Sequence, residues 1–94
     1  MEVKIVWTKQ AKLSYDKIID YLLENWNYSI TDDFSSRVYE ILSLLETQPF
    51  MGHKTSDDDY LRKVLITDKN YLYYEIQNDV VFLLNFQDTR QEPK

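Results

Sequence analysis

Tyr60-Leu61-Arg62-Lys63-Val64-Leu65-Ile66, Tyr71-Leu72-Tyr73-Tyr74-Glu75-Ile76 and Val80-Val81-Phe82-Leu83-Leu84-Asn85-Phe86 follow one another across short polar breaks at Thr67-Asp68-Lys69-Asn70 and Gln77-Asn78-Asp79. Runs this dense in β-branched and aromatic residues, so closely punctuated, predict a three-stranded antiparallel meander. Asn78-Asp79 tolerates positive φ and suits a two-residue hairpin loop. With that loop Gln77 faces Val80, and counting back sets Ile76 by Val81, Glu75 by Phe82, Tyr74 by Leu83 and Tyr73 by Leu84. Both faces then carry apolar or tyrosine side chains. A sheet with one wet face alternates apolar with polar residues, whereas a sheet covered on both faces reads as this one does. One cover comes from the rest of the chain, and the pattern leaves the other to something else.

Upstream, Val3, Ile5 and Trp7 alternate with Glu2, Lys4 and Val6 and predict a first strand over 2–7. Thr8 is placed to cap a helix over 9–27, along which Ala11, Tyr15, Ile18, Ile19, Leu22, Leu23 and Trp26 form one apolar stripe. The polar residues 25–31 break the chain, and Ser29 or Thr31 is expected to cap a second helix with Asp32 and Asp33 in its first turn. Phe34, Val38, Ile41, Leu42 and Leu45 make its stripe, and Gln48-Pro49 ends it with Gly52 just beyond. Asp57-Asp58-Asp59 lacks the alternate spacing, central Gly and terminal Glu of a calcium loop and reads as solvated. The fold class is therefore α+β, in the order β-α-α-β-β-β. A helical hairpin packs on one face of a small, mainly antiparallel four-stranded sheet, and residues 1–94 form a single domain.

Composition narrows the function. Ninety-four residues support one modest core. The absence of cysteine excludes disulfides and thiolate metal sites and makes a reducing cytoplasm the simplest expectation. A formal net charge of −5 argues against a surface that clings to nucleic acid throughout, since phosphate binding rests on Lys and Arg, although a local basic patch remains compatible. Eight tyrosines suit an interface, where a rigid ring with a polar tip is favoured, and suit core and rim packing equally well. The sequence calls for no cofactor, no metal, no small-molecule substrate and no membrane contact.

The order of these elements, with Trp7-Thr8 before the first helix, Phe34 through Leu45 in the second, Pro49 with Gly52, Leu61-Arg62-Lys63, Leu72-Tyr73-Tyr74-Glu75-Ile76, and Asp88-Thr89-Arg90-Gln91 with Pro93, resembles the RelE/ParE superfamily of toxins from bacterial type II toxin–antitoxin modules. The resemblance implies a growth-inhibiting toxin held inactive by a cognate antitoxin. In that superfamily the antitoxin's flexible tail folds over the toxin, which supplies a cover for the second sheet face. Tyr71, Tyr73, Phe82 and Phe86 are the residues expected to meet it.

Two cellular targets divide the superfamily. RelE-like members are similar to ribosome-dependent mRNA endonucleases, whose chemistry needs a base, cations on the phosphate and an acid for the leaving oxygen. Carried over by position, Arg90, Lys54, Arg62 and Tyr71 are the catalytic candidates, although Tyr71 stands where RelE has an arginine and the RelE catalytic tyrosine has no counterpart. Arg62 and Lys63 point to opposite sheet faces, so one of them at most joins Arg90. Arg90 serves equally as a structural partner for Asp88 or Glu75, and His53 reads as a solvated loop histidine. ParE-like members share the fold without the nuclease residues and poison DNA gyrase. The incomplete constellation and acidic charge favour that reading, which makes the protein a binding toxin and not an enzyme. A non-toxic relative that binds an antitoxin is the third reading.

Overall fold

In the computed structural model, which describes residues 2–88, Lys4–Trp7 form strand β1 and the chain turns at Thr8 into helix α1, Lys9–Asn25. Thr8 serves both elements. Its Oγ1 accepts the Ala11 N–H at 3.1 Å as an N-cap does, and its hydroxyl donates to the Leu83 carbonyl at 2.6 Å. Helix α2, Tyr28–Thr47, starts from a different cap than expected: Asn27, whose side chain accepts the Ile30 N–H at 3.0 Å. Thr31 is already helical, with its hydroxyl on the Asn27 carbonyl. Asp32 and Asp33 consequently fall beyond the first turn, and only Trp26 and Asn27 separate the helices. Asn caps as well as Ser or Thr, so a stretch rich in all three did not mark the boundary.

Four more strands follow, β2 (His53–Lys54), β3 (Leu61–Thr67), β4 (Asn70–Gln77) and β5 (Val80–Asp88). They form one sheet in the order β1-β5-β4-β3-β2, parallel between β1 and β5 and antiparallel elsewhere. The α+β class, the helical hairpin and the mainly antiparallel sheet are those expected. The strand number is five, because two residues of the expected loop, His53 and Lys54, pair with Lys63 and Arg62. Such a short strand carries no periodic signal of its own. Asn78 has φ 57°, as its place in the hairpin loop requires. No helix among the described residues is long and apolar enough to cross a membrane.

The register runs as counted from Gln77–Val80 to Tyr74–Leu83 and then breaks at a bulge, so that Tyr73 pairs with Asn85 and not with Leu84. Strict alternation would set Phe86 on the side of Phe82. The extra residue instead turns Phe86 toward the helices, where it is 4% exposed and stacks on Trp7 with ring centroids 5.6 Å apart. Its N–H donates to Ser14 Oγ at 2.9 Å, and the Ser14 hydroxyl turns back to the carbonyls of Gln10 and Ala11. Ser14 is thus buried on α1 for a polar reason that an apolar stripe does not register.

The helices cover the face that carries Val64, Ile66, Leu72, Tyr74, Ile76, Val81 and Leu83. Helix α2 buries its whole predicted stripe, each large side chain contributing roughly 1.5–3 kcal/mol. Helix α1 fits less deeply: Ala11 and Ser14 are buried, Tyr15, Ile18, Ile19 and Leu22 are partly covered, and Leu23 and Trp26 are exposed, against the expected stripe.

Fully buried Tyr74 fixes the connection from α2 to β2. Its hydroxyl donates to the Pro49 carbonyl at 2.8 Å and accepts the Gly52 N–H at 3.0 Å. A Cβ on Gly52 would lie 2.6 Å from the Lys63 carbonyl oxygen and 2.7 Å from the Tyr74 hydroxyl, so the sole glycine is required by close approach and not by its φ. Burial pushes the Tyr74 phenol above its ordinary value, while the Gly52 N–H and the Arg62 charge pull partly back. A folded-state pKa above the unfolded one gives stability that is complete below about pH 10 and is lost as pH rises through the folded value. Tyr74→Phe, which orphans the Gly52 N–H, is expected to cost about 1–3 kcal/mol in urea denaturation at neutral pH. The variant should also lose stability less steeply than the parent above about pH 10. Equal alkaline slopes would contradict this role.

Candidate functional site

The face turned away from the helices is built by alternation. Register aligns His53, Lys63 and Tyr73 in a row across β2, β3 and β4. On one side of that row Leu65 pairs with Tyr71, and on the other Leu61, Glu75, Phe82 and Val6 form a second row reaching β1. Lys63, Tyr71, Tyr73, Phe82, Val6 and Leu61 are half-buried, while Leu65 and His53 are exposed. This face is mostly apolar and aromatic, and no element among the described residues lies over it.

Its charge is placed with care. Lys63 Nζ lies 4.4 Å from the centroid of the Tyr71 ring and 5.9 Å from that of Tyr73, and the two rings meet edge to face at 6.5 Å. A cation over two aromatic faces gains roughly 0.5–1 kcal/mol at an exposed site while keeping its ammonium on the surface. Glu75 is the carboxylate of the second row, accepting from the Gln77 side-chain amide at 3.1 Å. The arrangement seats one ammonium on a tyrosine bed within a mostly apolar face.

The expected catalytic residues are not gathered here. Tyr71 lies on this face. Arg62 pairs with Tyr74 and so belongs to the opposite one, where its guanidinium donates to the carbonyls of Asp59 (2.7 Å), Gly52 (2.8 Å) and Phe50 (3.1 Å) and stacks on the Phe50 ring. Arg62 is thereby the clasp of the loop over 49–60. Lys54, paired with Arg62, forms an ion pair with Asp59 at 3.1 Å, worth about 0–1 kcal/mol at this exposure. Asp58 accepts the Tyr60 N–H at 2.8 Å. Among the described residues no three His, Cys, Asp or Glu side chains assemble as a metal site would. Arg90 lies outside the described residues.

Of the four residues expected to meet a partner, Tyr71, Tyr73 and Phe82 share the open face. Phe86 does not, for the bulge turns it into the core. The cation of the face is Lys63, the alternative to Arg62 that alternation itself offered but that the superfamily's pattern did not select.

The fold and sequence were compared with known proteins. Residues 5–93 match the model of a family described as the ParE toxin of type II toxin–antitoxin systems, parDE. No curated protein matches the sequence. Among solved structures, the chain is similar to one from the chromosomal ParDE toxin–antitoxin system of P. aeruginosa, with a TM-score of 0.75 at 12% identity over 93% of this chain and 96% of that one. A copper-bound mutant toxin from Helicobacter pylori gives 0.69 at 19% identity, covering 95% and 97%. The E. coli DinJ–YafQ toxin–antitoxin complex gives 0.66 at 9%, covering 96% of each chain. At these identities the likeness to solved structures is one of fold.

The two adjacent cations of β3 should separate cleanly in mutants. Arg62→Lys, whose single ammonium cannot span three carbonyls, is expected to cost about 1–3 kcal/mol and to raise amide hydrogen exchange over 50–60. Lys63→Ala should cost at most about 1 kcal/mol and leave that loop protected. Similar losses of stability and protection in both variants would contradict the assignment.

Proposed function

From the ParE toxin family of type II toxin–antitoxin systems, to which this chain belongs, we propose a specific reading: a growth-inhibiting toxin that acts by binding DNA gyrase and is neutralised by an antitoxin segment laid across the open sheet face. The observation that carries this reading is the separation of the nuclease candidates, with Tyr71 on one side of the sheet and Arg62 and Lys54 tied into a loop on the other. Nuclease candidates parted in this way among the described residues favour a toxin that works by occupying its target. The toxin–antitoxin complexes among similar folds support an antitoxin as partner. Tyr71, Tyr73 and Phe82 supply the contact area for such a segment.

A second reading, ribosome-dependent cleavage of mRNA, draws on one observation, the row of His53, Lys63 and Tyr73 that lines up an imidazole, an ammonium and a phenol on one face.

Induced expression in bacteria, with growth, transcript ends and the DNA-damage response followed together, tests both. The proposed reading expects arrest with DNA damage and intact transcripts. Arrest with new transcript ends inside translated frames, abolished by His53→Ala, would overturn it in favour of the nuclease. Unimpeded growth while soluble protein accumulates would leave a non-toxic antitoxin-binding relative. For the antitoxin face, Tyr73→Ala and Phe82→Ala are each expected to weaken a cognate antitoxin at least about tenfold by titration calorimetry, as buried aromatic anchors do. Unchanged affinity in both would contradict that placement.

A further inference from the structure

Sheet edges offer backbone donors and acceptors, and the two edges of this sheet are finished differently. Beside β3 the Thr55 N–H donates to the Leu61 carbonyl at 3.1 Å and His53 pairs with Lys63. Beyond the bulge after Leu65, the Arg37 guanidinium donates to the Ile66 carbonyl at 3.1 Å. That edge is largely closed. Strand β1 forms the other edge. Its Lys4 N–H donates to the Asp79 carbonyl at 2.8 Å and the Thr8 N–H to the Leu83 carbonyl at 3.2 Å, so by alternation the N–H and C=O groups of Ile5 and Trp7 point away from β5. No hydrogen bond among the described residues reaches these four groups.

A charge of opposite sign stands at each end of this open edge. At its start the Val3 N–H donates to the Glu46 carbonyl at 2.9 Å, which sets the last turn of α2 beside it. At its finish Thr8 is extended, with φ −74° and ψ 165°, and leads straight into Lys9 at the start of α1. Glu46 at a carbonyl end and Lys9 at an N–H end each oppose the dipole of their own helix, and neither has an opposite charge three or four residues along it. Both are exposed, and the ion pairs among the described residues are Arg37–Glu40 and Lys54–Asp59. Between these two ends lies half-buried Trp7, its ring 6.5 Å from that of Tyr39, which is 56% exposed.

We infer that β1 pairs with β1 of a second copy of this chain, antiparallel about a two-fold axis at Val6. The register follows from the groups on offer. Ile5 and Trp7 are the outward residues, so across the axis each meets the other and exchanges both of its bonds, four in all. Val6 then faces Val6 of the second copy, and the open-face row of Leu61, Glu75, Phe82 and Val6 runs on into the same row beyond the axis. Val3 stands opposite Lys9, which brings each lysine to the Glu46 of the other copy, at the carbonyl end of α2. The second copy's chain leaves the sheet at Thr8, where α1 turns back over its own β5, so its strand stops where Glu46 closes the edge. Charge favours this occupant. A surface that meets its own kind needs both signs in register, whereas a wholly basic or wholly acidic segment finds one end repulsive. The inference does not rest on the antitoxin being placed on the open face.

The test uses the full chain alone, from about 10 μM to about 1 mM, the range in which so small a contact forms and dissociates. Sedimentation is expected to show a monomer passing into a dimer. Amide hydrogen exchange followed by NMR is expected to slow at Ile5 and Trp7 at least about threefold across that range, while Val6, already bonded to β5, and Leu65 on the far edge keep their rates. Lys9→Glu and Glu46→Lys should each weaken the dimer at least about tenfold, and the two together should restore it. Ile5→Pro, which deletes an outward donor that β5 does not use, should abolish the dimer with the melting transition retained, and the charge swap decides the matter where that variant alters the fold. A monomer throughout the range, a dimer in which Ile5 and Trp7 exchange at the monomer's rate, or a double charge variant no better than either single one would each overturn the proposal.

Discussion

A sheet has two faces, and the two helices of the described residues cover one of them. Helix α2 and part of α1 bury Leu72, Tyr74, Val81 and Leu83 almost completely, while Tyr71, Tyr73 and Phe82, one residue away in each strand, are half-buried, and no element of the described residues lies over them. Covering apolar area returns roughly 25 cal/mol per Å², so a face of this kind is a standing preference for a partner. Lys63 makes the preference chemical as well as hydrophobic, since its ammonium is seated on two tyrosine rings at the middle of the surface.

One extra residue in β5 decides how much of the aromatic content belongs to that face. Without the bulge at Leu84, Phe86 would stand in line with Phe82 and the core would lose the ring that packs against Trp7 and Tyr15. The bulge thus joins two needs that alternation alone cannot meet. On the far side of the sheet, Tyr74 and Arg62 hold the same loop from two directions, by the Pro49 carbonyl and Gly52 N–H and by the Gly52 and Phe50 carbonyls. That loop returns His53 and Lys54 to the sheet edge, so the small strand β2 depends on a buried phenol and a clasped guanidinium.

Much of this was legible in the chain. The meander, the Asn78 hairpin, the Thr8 cap and the stripe of α2 follow from period and turn chemistry, which are local properties. The elements that escaped are those where local signals are degenerate or absent. Asn27 competed with Ser29 and Thr31 as a cap, the strand His53–Lys54 is too short for a period, and a bulge has no residue code of its own. Most of the open face was readable: Tyr71, Tyr73 and Phe82 follow from alternation, and Phe86 alone of the four was misplaced by it. Arg62 was drawn toward catalysis by its position in the superfamily's pattern, while its partners are backbone carbonyls that no sequence pattern displays.

The central claim is that the open sheet face, and not the helical layer, receives the antitoxin. The most direct measurement is an amide and side-chain chemical-shift titration of the labelled protein with a cognate antitoxin. The account predicts that the largest changes and the slowest exchange gather at Lys63, Tyr71, Tyr73 and Phe82. Changes confined to α1, α2 and the groove between α1 and the β3–β4 turn, with those four residues unmoved, would contradict it.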